Sequence, residues 1–376
     1  MKSSNNKIKL LFVFTSCRNC GPIQVMYNLF KYIDKDKFEL NLITLYEENE
    51  NSRLKEFLPF CNSYIKCKMS KLDILFRRNK HLYENIDRIQ PQILHAMGVF
   101  AEYSVNNYTK VFKVLTLHNY MKYDYISKFG FIRGNVLIYL QKKSISTFDH
   151  VWTCSKSLSQ LYLEDGNDYD YIVNGVDGEN YYAISRHEKM SLRRKLGISE
   201  HFTVYISSGQ FIKRKDQETI IKGFLKAGIT NSMLILLGNG PLLEGLKKKY
   251  CAYRHIIFVG NVNNVCDYLQ SSDVYISAAH AEGMPMGVLE AVSCGLYVIL
   301  SDILPHREIL DNRNIIGASF SVDDYEDCSE KIEKSSDILK KINSGQYENV
   351  YADYFTAKRM AKDYEYAYIA LAGEIS

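Results

Sequence analysis

Short, uninterrupted apolar runs recur along the 376-residue chain, and they constrain its fold more than any other feature. Such runs are typical of parallel strands that are buried on both faces of a sheet, and segments with helical spacing of apolar residues follow them. The clearest runs are Ile8–Thr15, Glu39–Leu45, Val111–Leu117, Met233–Gly238, Val274–Ser277 and Tyr297–Leu300. The alternation predicts an α/β protein, and a 46% apolar chain of this length suffices for two domains with separate cores.

One stretch, Ser277–Leu310, concentrates the residues of a candidate ligand site. Its apolar spacing, with a proline at the start and a glycine after the end, predicts a short helix over Pro285–Cys294. The amino end of that helix offers N–H groups beside Gly283 and Gly287, where the backbone can approach a ligand closely. This combination suits a phosphate group.

Two carboxylates flank this helix start. Glu290 lies five residues after the proline, on the order of 7 Å along a helix, which suits a sugar hydroxyl pair attached to the phosphate. Glu282 precedes the helix and can accept hydrogen bonds from neutral hydroxyls on the other side of the phosphates. The pattern fits a molecule with sugar, diphosphate and sugar in line. The alternative is that Glu282 caps the helix electrostatically and Glu290 is a solvated surface residue.

The whole stretch resembles the E-x7-E segment of retaining nucleotide-sugar glycosyltransferases of the GT-B type, specifically family 4. The matching positions are Glu282, Gly283, Pro285, Glu290, Ala291, Cys294, Gly295, Val298, Ser301, Asp302 and Glu308. The resemblance covers nearly the full length and implies two Rossmann-like α/β/α domains facing a central cleft. Residues 1–177 would form the acceptor-side domain and residues 178–353 the nucleotide-sugar-binding domain, with a C-terminal helix within 354–376 joining the first domain. The polar span 178–200 is interpreted as the connection between the domains.

A cationic loop in the second domain is the candidate phosphate clamp. Gly209 turns the chain, and Lys213, Arg214 and Lys215 precede a helix, which is a suitable arrangement for binding phosphate. By resemblance Lys215 is the phosphate-binding lysine, and Gln210 stands where the family frequently has an arginine, so that Arg214 or Lys213 would have to compensate. The resemblance implies donor contacts by Gly21, Gly209, Lys213, Arg214, Lys215, Gly240, Gly283, Met284, Pro285, Met286, Gly287 and Glu290.

In the first domain the candidate residues follow predicted strands. His118 ends the run Val111–Leu117, at the strand end where open parallel sheets bind ligands, and His95 ends a shorter run. The resemblance implies that His118 contacts the transferred sugar, whereas a purely structural histidine is the alternative. Cys17-x-x-Cys20 admits a redox pair or half of a metal site, although no second pair accompanies it.

The resemblance implies a retaining glycosyltransferase that moves a hexosyl unit from a nucleoside diphosphate sugar, preferably a UDP-sugar, to a saccharide acceptor. A lipid-linked acceptor and a role in O-antigen or capsule polysaccharide biosynthesis are expected from the same likeness. Glu282 and His118 would be catalytic, and because no Asp-x-Asp motif is placed for a metal, no metal or other cofactor is expected. Three alternatives remain open: a GT-B-shaped nucleotide-sugar epimerase, a non-catalytic sugar-nucleotide binding module, and an oxidoreductase, which the incomplete glycine fingerprint at Gly238–Pro241 disfavours.

Composition limits the partners and the compartment. A net charge of +4 without a basic recognition motif disfavours nucleic acid. No apolar run reaches the roughly 20 residues of a membrane span, no signal peptide is present, and the scattered nine cysteines suit a reducing compartment. A cytoplasmic protein is expected. The segment Lys122–Lys143, with five cations and one acid, is either a solvated helix face or a surface for anionic lipid at the inner face of a membrane.

Overall fold

The computed structural model describes residues 7–312, 315–341 and 354–375, with the side chains of residues 127, 128, 341 and 375 left out. The chain divides into two compact units. Unit 1 comprises Met1–Gly175 and Ala357–Ser376, and unit 2 comprises Val176–Thr356. The divisions after residues 175 and 356 lie two to three residues from the domain limits set from the sequence.

Unit 1 is built on seven parallel strands. They are β1 (Ile8–Phe14), β2 (Phe38–Thr44), β3 (Ser63–Lys66), β4 (Ile93–Met97), β5 (Phe112–Leu117), β6 (His150–Thr153) and β7 (Asp170–Tyr171). Its helices are α1 (Gly21–Tyr32), α2 (Leu54–Phe57), α3 (Lys71–Leu75), α4 (Lys80–Ile89), α5 (Val99–Val105), α6 (Met121–Phe129), α7 (Phe131–Ile145), α8 (Lys156–Glu164) and α16 (Ala357–Ile375), with a 3₁₀ turn at Leu58–Phe60. The sheet order is β3-β2-β1-β4-β5-β6-β7.

The last helix, α16, belongs to the core of unit 1. The Tyr368 hydroxyl lies 2.6 Å from His95 Nδ1, and the Tyr364 hydroxyl lies 2.9 Å from the hydroxyl of Thr116. All four side chains are buried. His95 Nε2 is 3.1 Å from the same threonine hydroxyl, so both ring nitrogens of this histidine have core partners. His95 is therefore a structural residue, which agrees with its weaker support in the sequence, compared with His118, as a site residue.

Unit 2 has six parallel strands. They are β8 (Thr203–Ser208), β9 (Ser232–Leu237), β10 (Ile256–Gly260), β11 (Val274–Ser277), β12 (Tyr297–Ser301) and β13 (Gly317–Phe320). Its helices are α9 (Arg186–Leu196), α10 (Gln217–Ala227), α11 (Leu243–Lys249), α12 (Val265–Gln270), α13 (Met286–Ser293), α14 (Leu304–Leu310) and α15 (Tyr325–Lys341), with a 3₁₀ turn at Lys213–Lys215. The order β10-β9-β8-β11-β12-β13 repeats the order of the first six strands of unit 1.

The strand order places a ligand-binding edge in unit 2. Connections leave β8 for β9 on one side and β11 for β12 on the other, so the order reverses between β8 and β11. Open parallel sheets bind ligands beyond the carboxyl ends of the strands at such a point. The two Rossmann-like units confirm the predicted α/β fold class.

The structure corrects one local expectation and shifts the bounds of another by one residue. The span 178–200 is not only a connection, because it contains α9, which begins at a capping box formed by Ser185 and Glu188. The short helix α13 begins at Met286, one residue later than expected, because Pro285 has extended backbone angles and occupies the N-cap. Among the described residues no helix combines the length and the apolar character that a membrane span requires.

Candidate functional site

A buried ion cluster lies where the loops after β8 and β11 meet. Arg214 Nη1 donates to Glu282 Oε2 at 3.0 Å and also to the carbonyl oxygen of Ala281. The ammonium group of Lys215 forms an ion pair with the other carboxylate oxygen, Oε1. The side chain of Glu282 is only 8% exposed, against 16% for Arg214 and 22% for Lys215. The structure thus joins Glu282 to two adjacent cations, Arg214 and Lys215, that lie 68 and 67 positions earlier in the sequence.

The protonation state of Glu282 follows from these partners. Burial alone would raise its pKa, but the charges of Lys215 and Arg214 outweigh burial and lower the pKa to about 2. Glu282 is therefore ionised at neutral pH, where it accepts hydrogen bonds and has no proton to donate.

A fourth residue of this neighbourhood, His306, was missed by the sequence analysis. It is fully buried at the start of α14, and its Nδ1 lies 2.8 Å from the carbonyl oxygen of Ser301, to which it must donate. Burial lowers the pKa of His306 to about 4, so the ring is neutral and Nε2 carries a lone pair without a hydrogen-bond partner in the described structure. Its charge interactions with Glu282 and Lys215 place it near the cluster. The spacing of residues along the sequence did not indicate His306, because His306 follows β12 whereas Glu282 follows β11.

Glycines let the loops after β8 and β9 approach each other. Gly238 has φ +124°, and a Cβ there would lie 1.9 Å from the carbonyl oxygen of Gly209. A Cβ on Gly240 would lie 2.5 Å from the carbonyl oxygen of Phe211. Gly209 itself has φ +151°, beside the aliphatic part of Lys215. Gly209 and Gly240, both predicted donor contacts, thus support the loop that carries the cations.

The predicted phosphate-binding helix start is buried beside the cluster. Gly283, Met284 and Pro285 are buried, whereas Met286 and Gly287 are partly exposed. No side chain of the described chain caps the amino end of α13, and its first turn has no acidic residue. A Cβ on Gly287 would lie 2.7 Å from the hydroxyl of Tyr275, so only glycine fits there without a shift.

Two further residues that are predicted to bind the donor lie around the ion cluster and the start of α13. Glu290 is partly exposed on α13, and its charge contributes to raising the pKa of the buried Tyr275. Lys213 is exposed and lines a separate cavity with Asp216 and His280. Arg214, rather than Lys213, is therefore the cation that joins Lys215 at Glu282.

In unit 1, His118 follows β5 as predicted. Burial lowers the pKa of His118 to about 4, so its ring is neutral near pH 7. Its Nε2 is buried and has no hydrogen-bond partner among the described residues. A neutral imidazole with this atom available can exchange a hydrogen bond with a sugar hydroxyl.

Gly21 and the cysteine pair of unit 1 lie in one loop. Gly21 is the first residue of α1, and a Cβ there would meet no atom within 4 Å, which leaves open space beside it. Cys17 is buried, and burial is the main cause that raises the pKa of its thiol. A protonated thiol is a poor nucleophile, which argues against redox chemistry at Cys17.

Helix α7 of unit 1 exposes its apolar side. Phe131 and Ile132 are 74% and 80% exposed, and Val136, Tyr139 and Leu140 continue the stripe at helical spacing. The buried side includes polar residues, among them Gln141, whose Nε2 donates to Glu102 Oε2 at 2.9 Å. We call these five exposed apolar residues the α7 stripe. Their exposure reverses the usual pattern, in which a surface helix buries its apolar side.

The comparisons with known proteins find similarity to glycosyltransferases. Residues 188–344 match the family model described as glycosyl transferases group 1. Over its length the chain is 22% identical to the O-antigen biosynthesis glycosyltransferase WclY of Escherichia coli, covering 98% of this chain and 100% of that protein. It is 24% identical to the UDP-Gal:alpha-D-GlcNAc-diphosphoundecaprenol alpha-1,3-galactosyltransferase of Escherichia coli, with 91% and 97% covered.

Solved structures with the same fold cover the whole chain. Anabaena HepE in complex with UDP and glucose superposes with a TM-score of 0.79 at 15% identity, covering 96% of this chain and 100% of that one. Sucrose-phosphate synthase from Thermosynechococcus elongatus gives a TM-score of 0.79 at 15% identity, with 97% and 100% covered. At this level of identity the likeness establishes the fold.

Proposed function

The chain belongs to the glycosyl transferases group 1 family through residues 188–344, and from that premise we propose a specific reaction for it. It transfers a hexosyl unit, with retention of anomeric configuration and without a metal ion, from a UDP-sugar to a lipid-linked saccharide in polysaccharide assembly. The observation that carries the proposal is the Arg214–Glu282–Lys215 cluster, which lies at the ligand-binding edge of the matched unit.

The cluster suits a diphosphate leaving group because its charges are already in place. A bound diphosphate brings anionic oxygens that compete with Glu282 for Arg214 and Lys215. Fixed cations of this kind stabilise the charge that develops on a leaving group, by about 3–4 kcal/mol for one donor. Two such cations can take the part that a divalent metal plays elsewhere, which supports metal-independent transfer.

Glu282 keeps its charge as long as Arg214 and Lys215 remain beside it. These cations hold its pKa at about 2, so it can accept hydrogen bonds from donor-sugar hydroxyls but cannot protonate a leaving group. This favours the proposed retaining reaction, in which the acceptor hydroxyl attacks on the face that the diphosphate leaves and a phosphate oxygen takes its proton. Glu290, further along α13, would hold the ribose hydroxyls of the nucleotide.

His118 is proposed to contact the transferred sugar. Its neutral ring and unpartnered Nε2 suit a hydrogen bond to a hydroxyl rather than an ion pair with phosphate. Its contribution should therefore appear in turnover more than in nucleotide binding.

The α7 stripe supports an acceptor that is anchored in a membrane. Its apolar side chains are flanked on the same helix by Arg133, Lys142 and Lys143, and α7 carries no acidic residue. Apolar insertion combined with basic residues gives the two contributions that stable binding to anionic lipid requires. We propose that the protein works at the cytoplasmic face of a membrane. The relatives named for O-antigen biosynthesis and for a diphosphoundecaprenol acceptor support this assignment.

Binding of nucleotides to the full chain tests the donor assignment. Thermal unfolding is measured with UDP, GDP, ADP and CMP, and with the corresponding sugars, in buffer without added metal or chelator. A ligand at a hundred times its dissociation constant stabilises the folded state by about 2.7 kcal/mol. UDP and UDP-sugars should raise Tm, and Lys215→Ala should abolish the shift while Lys248→Ala, an exposed lysine on α11, keeps it.

The reaction itself is tested with the UDP-sugar that gives the largest shift and a lipid-linked saccharide. The anomeric configuration of the first product formed is read by NMR, and the expected outcome is retention. An inverted product, or activity that requires added Mg²⁺ or Mn²⁺, would contradict the proposed mechanism. Interconversion of the donor sugar without any acceptor would identify an epimerase instead.

A further inference from the structure

A second cluster of charged side chains lies in unit 2, beside the ion cluster but separate from it. It consists of Asp216, His280 and Asp323, whose potential ligand atoms lie within 4.8 Å of one another. His280 Nε2 is 3.3 Å from Asp216 Oδ2 and 3.2 Å from Asp323 Oδ1. The three residues come from three different loops, after the 3₁₀ turn, after β11 and after β13.

A single nitrogen of His280 faces two carboxylate oxygens at nearly equal distances. A protonated ring can share its one Nε2 hydrogen between both oxygens in a three-centre ion pair. The same distances also match three ligands of one shared metal ion. Zinc bonds to nitrogen and oxygen of about 2.0–2.1 Å place neighbouring ligands of a tetrahedral site about 3.3 Å apart.

The surroundings supply an independent indication of a cation. The three residues line a cavity of about 530 Å³ together with Gln217. Gln217 is 4% exposed, and its Nε2 donates to the carbonyl oxygen of Gln210 at 2.9 Å. Its other terminal atom, Oε1, is a buried acceptor for which the described structure contains no donor. A buried oxygen without a donor, on a residue that lines the same cavity as two carboxylates and an imidazole, indicates a site that can accept a cation.

The positive side chains near the cavity do not neutralise the two carboxylates. Lys249 also lines it but is paired with Glu218, with Nζ and Oε1 2.5 Å apart. Lys213 lines the cavity as an exposed side chain. The two carboxylates carry two negative charges, which a divalent cation offsets.

We propose that Asp216, His280 and Asp323 form a binding site for a divalent first-row metal ion, with Zn²⁺ as the best fit to the ligand set and spacing. The ion is structural and does not contact the nucleotide-sugar donor. It ties the loop that ends in Lys215 to the loop that leads to Glu282, because Asp216 directly follows that lysine and the backbone N–H of His280 donates to the carbonyl oxygen of Arg214 at 2.8 Å. Metal binding therefore holds both sides of the ion cluster in register.

Titration of the full chain with Zn²⁺ tests the site. The protein is treated with a chelator, exchanged into chelator-free buffer and titrated by calorimetry, with thermal unfolding measured in parallel. The wild type should bind one more equivalent of Zn²⁺ than His280→Ala and should gain a rise in Tm that the variant lacks. Any Zn²⁺ held by cysteine thiols is common to both proteins and cancels in the comparison.

Two further variants keep the test decisive if His280→Ala folds poorly. Asp323→Asn changes a side chain that is 70% exposed, so it should fold normally and bind the ion at least tenfold more weakly, since even indirect partners of metal ligands contribute about 10–100-fold. His187→Ala removes an exposed histidine on α9 and should bind like the wild type. Equal stoichiometry and affinity in the wild type and Asp323→Asn would overturn the proposal. The readouts are binding and unfolding, so they do not depend on the identity of donor or acceptor.

Discussion

Units 1 and 2 use the same order of parallel strands but place different chemistry on it. At the ligand-binding edge of unit 2, the ionised Glu282 lies between Arg214 and Lys215. The corresponding candidate in unit 1, His118, is neutral, and the notable surface of that unit is the apolar α7 stripe. The comparison teaches that one scaffold can carry fixed charge in one unit and neutral or apolar groups in the other, as the proposed diphosphate and lipid-linked saccharide would require.

The sharpest test of the charged edge is Lys215→Ala. Removing one fixed cation from a developing diphosphate should lower kcat/KM about 10²- to 10³-fold. Steady-state kinetics with the UDP-sugar donor measures the effect, and Lys248→Ala serves as the control. Full activity in Lys215→Ala would mean that the charges of unit 2 have only a structural role.

The pH dependence of stability tests whether Glu282 is held ionised by its cations. A carboxyl group whose pKa is lowered in the folded state stabilises the protein above its unfolded pKa, and this stabilisation is lost as pH falls through the folded pKa. For Glu282 the loss should occur between about pH 4.5 and pH 2 and amount to at most about 3 kcal/mol. Chemical unfolding across this range should show a steeper fall for the wild type than for Glu282→Gln. Parallel curves would contradict the lowered pKa.

The α7 stripe is tested by the double variant Phe131→Ser and Ile132→Ser. Losing two inserted apolar side chains should cost about 2 kcal/mol of membrane binding, a roughly 30-fold weaker partition. Sedimentation with vesicles that contain anionic phospholipid measures it. Tyr366→Ser, which removes an apolar ring that is 62% exposed on α16, is the matched control. Equal binding of both variants would reject the stripe as the membrane contact.

The smallest expected effect belongs to His118→Ala. A single neutral hydrogen bond contributes about 0.5–1.5 kcal/mol, so turnover should fall about tenfold while the dissociation constant for UDP stays unchanged. His81→Ala, an exposed histidine of unit 1, should leave both constants unchanged. Weaker UDP binding by His118→Ala would indicate that His118 contacts the nucleotide rather than the sugar. The chemical difference between the two units would then be smaller than proposed.

The sequence predicted the strands well because buried parallel strands leave continuous apolar runs, as at β8 and β11. It also selected Lys215 and Glu282, but not their ion pair, since contacts between distant residues depend on strand order and spacing carries no such information. His306 and Asp323 were missed for the same reason. The orientation of α7 was also undetermined, because a helix with apolar residues on most sides shows no preferred face.

The helix α9 was missed although a signal was present. Ser185 and Glu188 form the S-x-x-E pattern of a capping box, and Gly197 ends the helix in a left-handed conformation. The polar composition of the span concealed this, because α9 buries few side chains, among them Arg193, which donates to the carbonyl oxygen of Ser271.

The contribution of α16 to unit 1 has a consequence for synthesis on the ribosome. Unit 2 is one continuous segment, so it can fold as soon as it has emerged. Unit 1 must wait, because Tyr364 and Tyr368 complete the environment of His95 and Thr116 only after the whole of unit 2 has been translated. The segment made first is therefore the last to reach its native state, and in the interval the apolar surfaces that α16 covers stay exposed.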